Sequence, residues 1–203
     1  TTGSYNTAIG SGSMATNTTG EFNTATGVAA LKRNTTGTVS TAVGYEALCA
    51  NTTGDNNTAV GFKALKVSTT GKFNVAMGNE ALTANTTASN NTAIGWRAGC
   101  SITTGARNVA IGAVSLDNNT TGADHTAVGM DALGDMTTGG CNTGLGRYAG
   151  SEITTGTNNS VIGFNGQASS ATVSNEITLG DGNIINLRCN DTSISGLSDE
   201  RDK

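Results

Sequence analysis

The chain has 203 residues, of which 29 are Gly and none is Pro, with 13% charged and 4% aromatic residues. A typical globular domain has about 25% charged residues and more large apolar side chains, so little is available here to fill a thick core. The net charge of −4 argues against nucleic-acid binding, the lack of Pro and of high charge argues against disorder, and no run of about 18 apolar residues predicts a membrane span.

A repeat of 17 residues covers residues 1–170 without insertion or deletion. Counting from Thr1, each of the ten units opens with Thr-Thr, position three is Gly in nine units with Ala88 as the exception, and position ten is Gly in all ten. A constant period without slippage indicates stacked identical units. Seventeen residues are too few for a helical-hairpin repeat, so we predict an all-β parallel β-solenoid, or β-roll, of ten coils.

Each coil is expected to contain two short strands and two tight corners. In the fourth unit, residues 57–61 carry β-formers that end at a turn residue, and residues 63–65 are the second candidate strand. The Gly columns are predicted corners, where a positive φ is easily adopted by Gly. Coils stacked about 4.8 Å apart would make a rod about 48 Å long.

Apolar side chains recur at fixed positions and predict the inward face. Position eight is Ala in eight units, position nine is mostly a medium apolar residue, and position fourteen is mostly Leu. Two units carry Gly99 or Gly150 at position fourteen instead. The same units carry Ile102 or Ile153 three residues later. We interpret this as the Ile side chain filling the buried space that the Leu side chain fills in other units, so that the packed volume stays constant. Each coil should therefore bury an Ala, an Ile or Val, and a Leu.

Polar and aromatic residues also follow the repeat. Position six is Asn in eight units, with Ser40 and His125 as the exceptions, and stacked Asn side chains form hydrogen-bonded ladders in parallel β stacks. A structural role is therefore preferred to ligand binding at that position. Position twelve is charged in five of the ten units and is predicted to be solvated. Positions five and eleven are variable and partly aromatic, which favours corner or inter-chain packing over saccharide or receptor contacts.

The sequence shows no pattern for a metal, a cofactor or a catalytic centre, and none is predicted for this chain. Cys49, Cys100, Cys141 and Cys189 lack metal-ligand spacing. Cys49 and Cys100 would lie three coils, about 14 Å, apart along the rod, beyond disulfide reach, so free thiols are predicted. His125 is the single His, and no column repeats acidic residues as a calcium-binding β-roll requires.

One chain is not expected to be sufficient for a stable rod. The small interior of a coil barely offsets an ordering cost of about 1.5 kcal/mol per residue. Positions eight and nine are adjacent, so they point to opposite faces of the strand, yet both avoid charge. One face can pack inside the coil and the other needs a partner. We therefore predict a closed homo-oligomer, and a homotrimer suits a fibre.

After Ser170 the chain is predicted to leave the period and to form a β-rich neck over residues 171–197. Asp181-Gly182, between residues 176–179 and 184–187, is a hairpin signal, and a corner in a differently wound neck fits equally well. Residues 193–203 read SISGLSDERDK.

The repeat resembles two known kinds of fibrous protein. NTAVGFKAL at residues 57–65, followed three residues later by Thr-Thr-Gly, resembles arrays in tail-fibre proteins of tailed bacteriophages. Its core, TA(I/V)GxxA, is similar to the head repeats of trimeric autotransporter adhesins, which are left-handed β-rolls with a shorter repeat. The resemblance covers residues 1–170. It implies a homotrimeric tail fibre of the virion, synthesised in the host cytoplasm, that contacts a host saccharide or receptor.

The ending LSDxRxK resembles the start of the intramolecular chaperone domain of the endosialidase type, which trimerises phage fibres and then cuts itself off near a Ser-Asp junction. The resemblance places a catalytic pair on Ser198 and Lys203, in which the Lys deprotonates the Ser. Residues 198–203 would begin that domain, whose body the chain does not contain. We therefore expect that the chain is a piece of a longer fibre protein and is inactive as a protease, and that the full-length protein cleaves itself near Ser198.

Three other functions fit parts of the pattern. A trimeric bacterial surface adhesin head would share the repeat but would need a membrane anchor downstream. The Thr columns suggest an ice-binding β-solenoid, although adjacent Thr residues alternate in and out and leave one exposed column. A saccharide depolymerase carried on a fibre would need paired carboxylates in a cleft, which the sequence does not show.

Overall fold

The computed structural model describes residues 2–184, which form a parallel β-solenoid and include no helix. Each coil contributes one three-residue strand at positions seven to nine, and successive strands pair in parallel exactly one repeat apart, as Thr58 does with Val75. The eleven strands form a single sheet in chain order. The strands are β1 (Thr7–Ile9), β2 (Thr24–Thr26), β3 (Thr41–Val43), β4 (Thr58–Val60), β5 (Val75–Met77), β6 (Thr92–Ile94), β7 (Val109–Ile111), β8 (Thr126–Val128), β9 (Thr143–Leu145), β10 (Ser160–Ile162) and β11 (Ile177–Leu179).

The core is a thin layer between the inward side of the strand and the turn that follows it. Ala59 at position eight, Ala64 at position thirteen and Leu65 at position fourteen are fully buried, as are their equivalents in most coils. This confirms the predicted burial of Ala and Leu. Position nine differs from the prediction, because strand alternation points it outward and Val43 and Ile162 are exposed.

The predicted second strand at residues 63–65 is wrong. Lys63 and Leu65 have φ values of 55° and 50°, and positions twelve and fourteen are left-handed in every one of the first nine coils. In this conformation the N–H groups of Lys63 and Leu65 point in opposite directions along the axis of the solenoid. The Lys63 N–H donates to the Tyr45 carbonyl of the preceding coil (2.9 Å), and the Leu65 N–H donates to the Ala81 carbonyl of the following one (3.0 Å). Inter-coil hydrogen bonds thereby continue around the corner and help offset the roughly 1–2 kcal/mol cost of each left-handed residue.

The two glycine columns have different physical causes. At position ten the prediction of a positive φ is confirmed: Gly95 has φ +134°, and a Cβ there would lie 2.6 Å from the Gly112 carbonyl oxygen. At position three it is wrong, because Gly37 is not left-handed. A Cβ on Gly37 would instead lie 2.5 Å from the Gly54 carbonyl oxygen of the next coil. Close axial approach of the backbones therefore favours Gly at position three, where nine of the first ten units have it.

The structure confirms that Ile at position seventeen takes the place of the Leu that other coils have at position fourteen. Ile102 and Ile153 are buried in the core. A Cβ added to Gly99 would lie 2.9 Å from Cδ1 of Ile102 and 3.2 Å from Cδ2 of Leu82. The isoleucine of the same coil thus fills the space that the leucine side chain occupies elsewhere, as close packing demands.

Two buried ladders of Asn side chains run along the rod. At position six, Asn6 Oδ1 accepts a hydrogen bond from the Asn23 N–H (2.9 Å), and Asn23 Nδ2 donates to the Gly37 carbonyl (2.9 Å), so the predicted structural role is confirmed. A second, shorter ladder joins the first three coils at position seventeen, where Asn34 Nδ2 donates to Asn17 Oδ1 at 2.9 Å and Asn51 Nδ2 donates to Asn34 Oδ1 at 2.8 Å. Both ladders direct buried amide groups along the axis rather than toward a ligand.

The repeat continues beyond residue 170, so the predicted departure from the period is wrong for the described part of the neck. The strand β11 pairs in parallel with β10, with Ser160 opposite Ile177, and Gly180 stands at position ten. Asp181 accepts a hydrogen bond from the Asn183 N–H (3.0 Å) in the turn that follows. Most of the second arm of the predicted hairpin lies outside the described residues.

We predict that Gly95→Ala is far more destabilising than Gly12→Ala. Gly12 also has a positive φ (+68°), but a Cβ there would have no atom within 4 Å, whereas on Gly95 it would meet the next coil. In the control, Gly12→Ala, the free energy of unfolding should fall only by the cost of a left-handed Ala, about 1–2 kcal/mol. In Gly95→Ala it should fall by more than about 3 kcal/mol. Urea denaturation followed by circular dichroism measures both losses. Equal losses would mean that backbone conformation alone, and not coil contact, selects Gly at position ten.

We also predict that Ser68→Asn raises stability. Ser68 interrupts the ladder at position seventeen, and its Oγ, Asn51 Oδ1 and both amide atoms of Asn85 are buried without a hydrogen-bond partner among residues 2–184. An amide at position 68 can reach both neighbours, so the free energy of unfolding should rise by about 1 kcal/mol. Ser68→Ala is the matched control and should not raise it. A loss of stability in Ser68→Asn would show that this slot cannot hold an amide.

Candidate interaction surface

The outward side of the sheet is an apolar surface that follows the whole described rod. Position nine is a large apolar residue in nearly every coil, and most of these side chains are exposed, with Ile162 at 43% and Leu145 at 37%. We define the apolar stripe as the outward side chains at positions seven, nine and eleven. The members of the stripe that are large, apolar and exposed are Ile9, Val28, Val43, Tyr45, Phe62, Met77, Ile94, Trp96, Ile111, Met130, Leu145, Ile162, Phe164, Ile177 and Leu179.

The stripe is large for the surface of a single chain. Eleven coils spaced about 4.8 Å apart extend for about 50 Å, and positions seven to eleven span about 13 Å of chain, which together give about 650 Å² of total surface. Position seven is Thr or Ser in eight of the coils, so the apolar part is the side of positions nine and eleven. One partner of a standard protein interface buries about 800 Å² of mixed surface. The stripe is therefore of the size that protein partners cover.

Aromatic rings at the corners stack on one another along the axis. At position eleven, the rings of Tyr45 and Phe62 are stacked with centroids 5.4 Å apart, and at position five, Tyr5 and Phe22 are stacked at 4.9 Å. A ring that is covered by its neighbour in the next coil cannot offer that face to a sugar. The contacts therefore favour the corner-packing interpretation of these two columns over saccharide stacking.

Away from the stripe, ion pairs join neighbouring coils. Arg107 Nε lies 2.6 Å from Asp124 Oδ1, and Lys72 Nζ lies 2.7 Å from Asp55 Oδ2. The hydrogen bond from Arg107 holds the pKa of the Asp124 carboxyl below its ordinary value. These pairs are exposed, so each is expected to add little stability, but they fix the direction in which the side chains extend.

His125 takes the place of an Asn in the position-six ladder. Its Nδ1 accepts a hydrogen bond from the Asn142 N–H (3.2 Å), as an Asn Oδ1 does in other coils. Its Nε2 faces the Gly139 carbonyl without full hydrogen-bond geometry to any described atom. Burial lowers the pKa of His125, so the imidazole is neutral at pH 7 and is a structural element.

The described residues hold no group of three or more His, Cys, Asp or Glu side chains that could bind a metal ion. Cys49, Cys100 and Cys141 are free thiols, as predicted. Cys100 is buried, and its Sγ donates to Asp117 Oδ1 at 2.7 Å. Ser198 and Lys203, the pair assigned by resemblance, and Cys189 lie outside the described residues.

The Thr-Thr pairs divide between two environments. At position one the hydroxyl bonds to the next coil, as when Thr35 Oγ1 donates to the Thr52 carbonyl at 2.9 Å. At position two the side chain is exposed in each of the ten coils, for example at Thr53 and Thr104. A single exposed Thr column results, as the sequence predicted.

Comparison with protein-family models, with curated proteins and with solved structures yields no significant match. Between residues 2 and 184 there is also no helix with the length and apolar character needed to cross a bilayer. The interpretation of function therefore depends on the surfaces of the chain itself.

We predict that His125 makes the fold sensitive to mild acid. Because burial lowers the folded-state pKa of His125, the unfolded chain takes up a proton below about pH 6.5 more readily than the folded chain does. Stability should therefore fall as the pH is lowered from 7 to 5. His125→Asn restores the ladder residue of the other coils and should remove a loss on the order of 1 kcal/mol.

Thermal unfolding of both proteins at pH 7 and pH 5 measures this difference. The two proteins share all their carboxylates, so their difference isolates the imidazole. An identical drop in Tm for both proteins would show that His125 does not titrate differently on folding.

Proposed function

We propose that this chain is a structural and host-attachment segment of a bacteriophage tail fibre, a stiff homotrimeric rod that carries out no catalysis. It would belong to the virion and be synthesised in the host cytoplasm. In a longer parent protein, Ser198 and Lys203 would take part in self-cleavage by a C-terminal chaperone domain. The observation that carries the proposal is the apolar stripe, which follows one side of a solenoid of constant period.

The thin core supports an assembly of several chains. The fully buried apolar side chains in one coil are mainly two Ala and one Leu, while a larger apolar group at position nine stays exposed. Burying that group against another copy would roughly double the large apolar side chains that each coil removes from water, at about 25 cal/mol per Å². Because every coil repeats the same outward residue types, copies in parallel register would match along the whole rod.

The resemblance of the repeat to phage fibre arrays and to autotransporter heads supports three copies rather than two. A trimeric bacterial adhesin head would have the same stripe and the same oligomeric state, and is the nearest alternative. A specific observation also favours testing an ice-binding role, namely the ten exposed Thr residues at position two, which lie about 4.8 Å apart. A freezing-hysteresis measurement would show that activity, if it exists.

We predict that the chain in solution has three times the 20.2 kDa mass of one copy. A charge in the apolar stripe would remain unpaired and buried in the trimer, so Val60→Lys combined with Ile94→Lys should release single chains. Thr53→Lys combined with Thr87→Lys, on the exposed Thr column of nearby coils, is the matched control and should stay trimeric. Light scattering gives the mass, and circular dichroism confirms that the coils remain folded.

A folded wild-type chain with the mass of one copy would contradict the assembly. Loss of the trimer in the Thr-column control would place the interface on another face. Binding of the trimer to whole bacterial cells tests attachment, and equal binding to all cells or to none would contradict a role in host recognition.

A further inference from the structure

A cleft of about 260 Å³ lies on the coils near the N-terminal end of the rod. None of its lining residues belongs to the apolar stripe, although Glu46 of the cleft directly follows Tyr45 of the stripe. Positions twelve, fifteen and sixteen of the second to fourth coils line it, with Lys32, Arg33 and Lys66 beside the apolar groups of Ala29, Ala50 and Val67. Its volume is just below the range of about 300–1,000 Å³ for drug-sized ligands, so it suits one small group rather than an extended molecule.

The cations at this cleft exceed the carboxylates available to them. Lys66 pairs with Glu46 at 2.9 Å, but Lys32 and Arg33 are exposed and form no ion pair with residues 2–184. Lys63, on the neighbouring position of the same face, also has no such partner. The local charge at the cleft is therefore positive, although the net charge of the whole chain is −4.

The two remaining ionisable groups in the cleft do not cancel that excess. The hydrogen bond from Lys66 lowers the pKa of Glu46, which therefore stays ionised and occupied by its partner. Burial raises the pKa of the Cys49 thiol, so this group is neutral at pH 7. Lys32, Arg33 and Lys66 line the same cleft as Cys49 and lower the pKa of its thiol, against the larger effects of burial and Glu46, which raise it.

We propose that this cleft binds one anionic sugar residue, through a carboxylate or a phosphate group held by Lys32 and Arg33. The apolar groups of Ala29, Ala50 and Val67 offer a surface for the C–H face of the ring, and the guanidinium of Arg33 can bind either anion through two hydrogen bonds. This inference rests on the proposed attachment function and names the class of ligand and the place on the rod. The cleft stays accessible in a trimer that buries only the stripe.

Calorimetric titration at low salt with glucuronic acid, glucose 6-phosphate, inorganic phosphate and glucose tests the proposal. We expect at least one anionic sugar to bind about tenfold or more tightly than glucose, and the preferred one identifies the anion. Lys32→Gln with Arg33→Gln should remove that preference. Lys72→Gln, which removes an exposed cation outside both the cleft and the apolar stripe, is the control and should keep it.

Each contrary result has its own meaning. Equal binding of glucose and both anionic sugars, or an equal loss in Lys72→Gln, would overturn the site. Inorganic phosphate binding as tightly as glucose 6-phosphate would overturn the part played by the sugar ring. A mass above the trimer that falls in Lys32→Gln with Arg33→Gln would mean that an acidic surface of another copy fills the cleft. A trimer that binds no anion defeats this inference alone, whereas a monomer defeats the proposed function.

Cys49 provides a second readout inside the cleft. Each thiol is labelled with a negatively and with a positively charged methanethiosulfonate, and peptide mass spectrometry resolves the sites. The ratio of the rate with the negative reagent to the rate with the positive one should be higher at Cys49 than at the exposed Cys141. In Lys32→Gln with Arg33→Gln the ratio at Cys49 should fall toward that of Cys141, because the attraction is local. A ratio for Cys49 equal to that of Cys141 in the wild-type chain would show that the cations do not act at the cleft.

Discussion

Contact between the backbones of successive coils is the constraint on which the rest of this structure depends. The coils approach so closely at positions three and ten that even a methyl group would meet the carbonyl oxygen of the next coil, as at Gly37 and Gly95. Hydrogen bonds then run along the axis from the strand, from the left-handed corners and from the Asn ladders. The fold is thus held together mainly by polar contacts between neighbours, and any residue that lengthens the axial spacing breaks several of them together.

The same constraint leaves the chain with little interior. A coil of 17 residues closes around two alanines and one large side chain, and Ile102 can enter only where Gly99 makes room. Larger apolar groups must then lie outside the coil, and they collect on the outward side of the strands because alternation allows no other place. The thin core and the exposed stripe are therefore two consequences of one geometry, and in the proposed assembly the stability of the rod would depend on burial of the stripe.

Much of this fold could be predicted from the sequence, since the constant period, the alanine and leucine columns and the Asn column each have one physical explanation. The left-handed corner at residues 63–65, which stands where a second strand was predicted, could not be predicted, because Lys63 and Leu65 are residue types that rarely adopt a positive φ and inter-coil hydrogen bonding overrides that preference. The eleventh coil was missed because Val173 replaces the glycine of position three, although Gly180 keeps position ten. The cationic cleft has no sequence motif, since Lys32 and Arg33 of the second coil line the same cleft as Lys66 of the fourth coil only because the coils stack.

The repeat separates two kinds of position, and this separation explains where function can reside. Columns that touch the neighbouring backbone tolerate few residue types, so they carry the fold and nothing else. Positions five, eleven, twelve, fifteen and sixteen point outward and differ from coil to coil, which lets each segment of the rod acquire its own chemistry without disturbing the stack. Lys32 and Arg33 in the second coil and Glu152 in the ninth occupy such outward positions with opposite charge. A rod built in this way can present a different binding surface at each height while its cross-section remains constant.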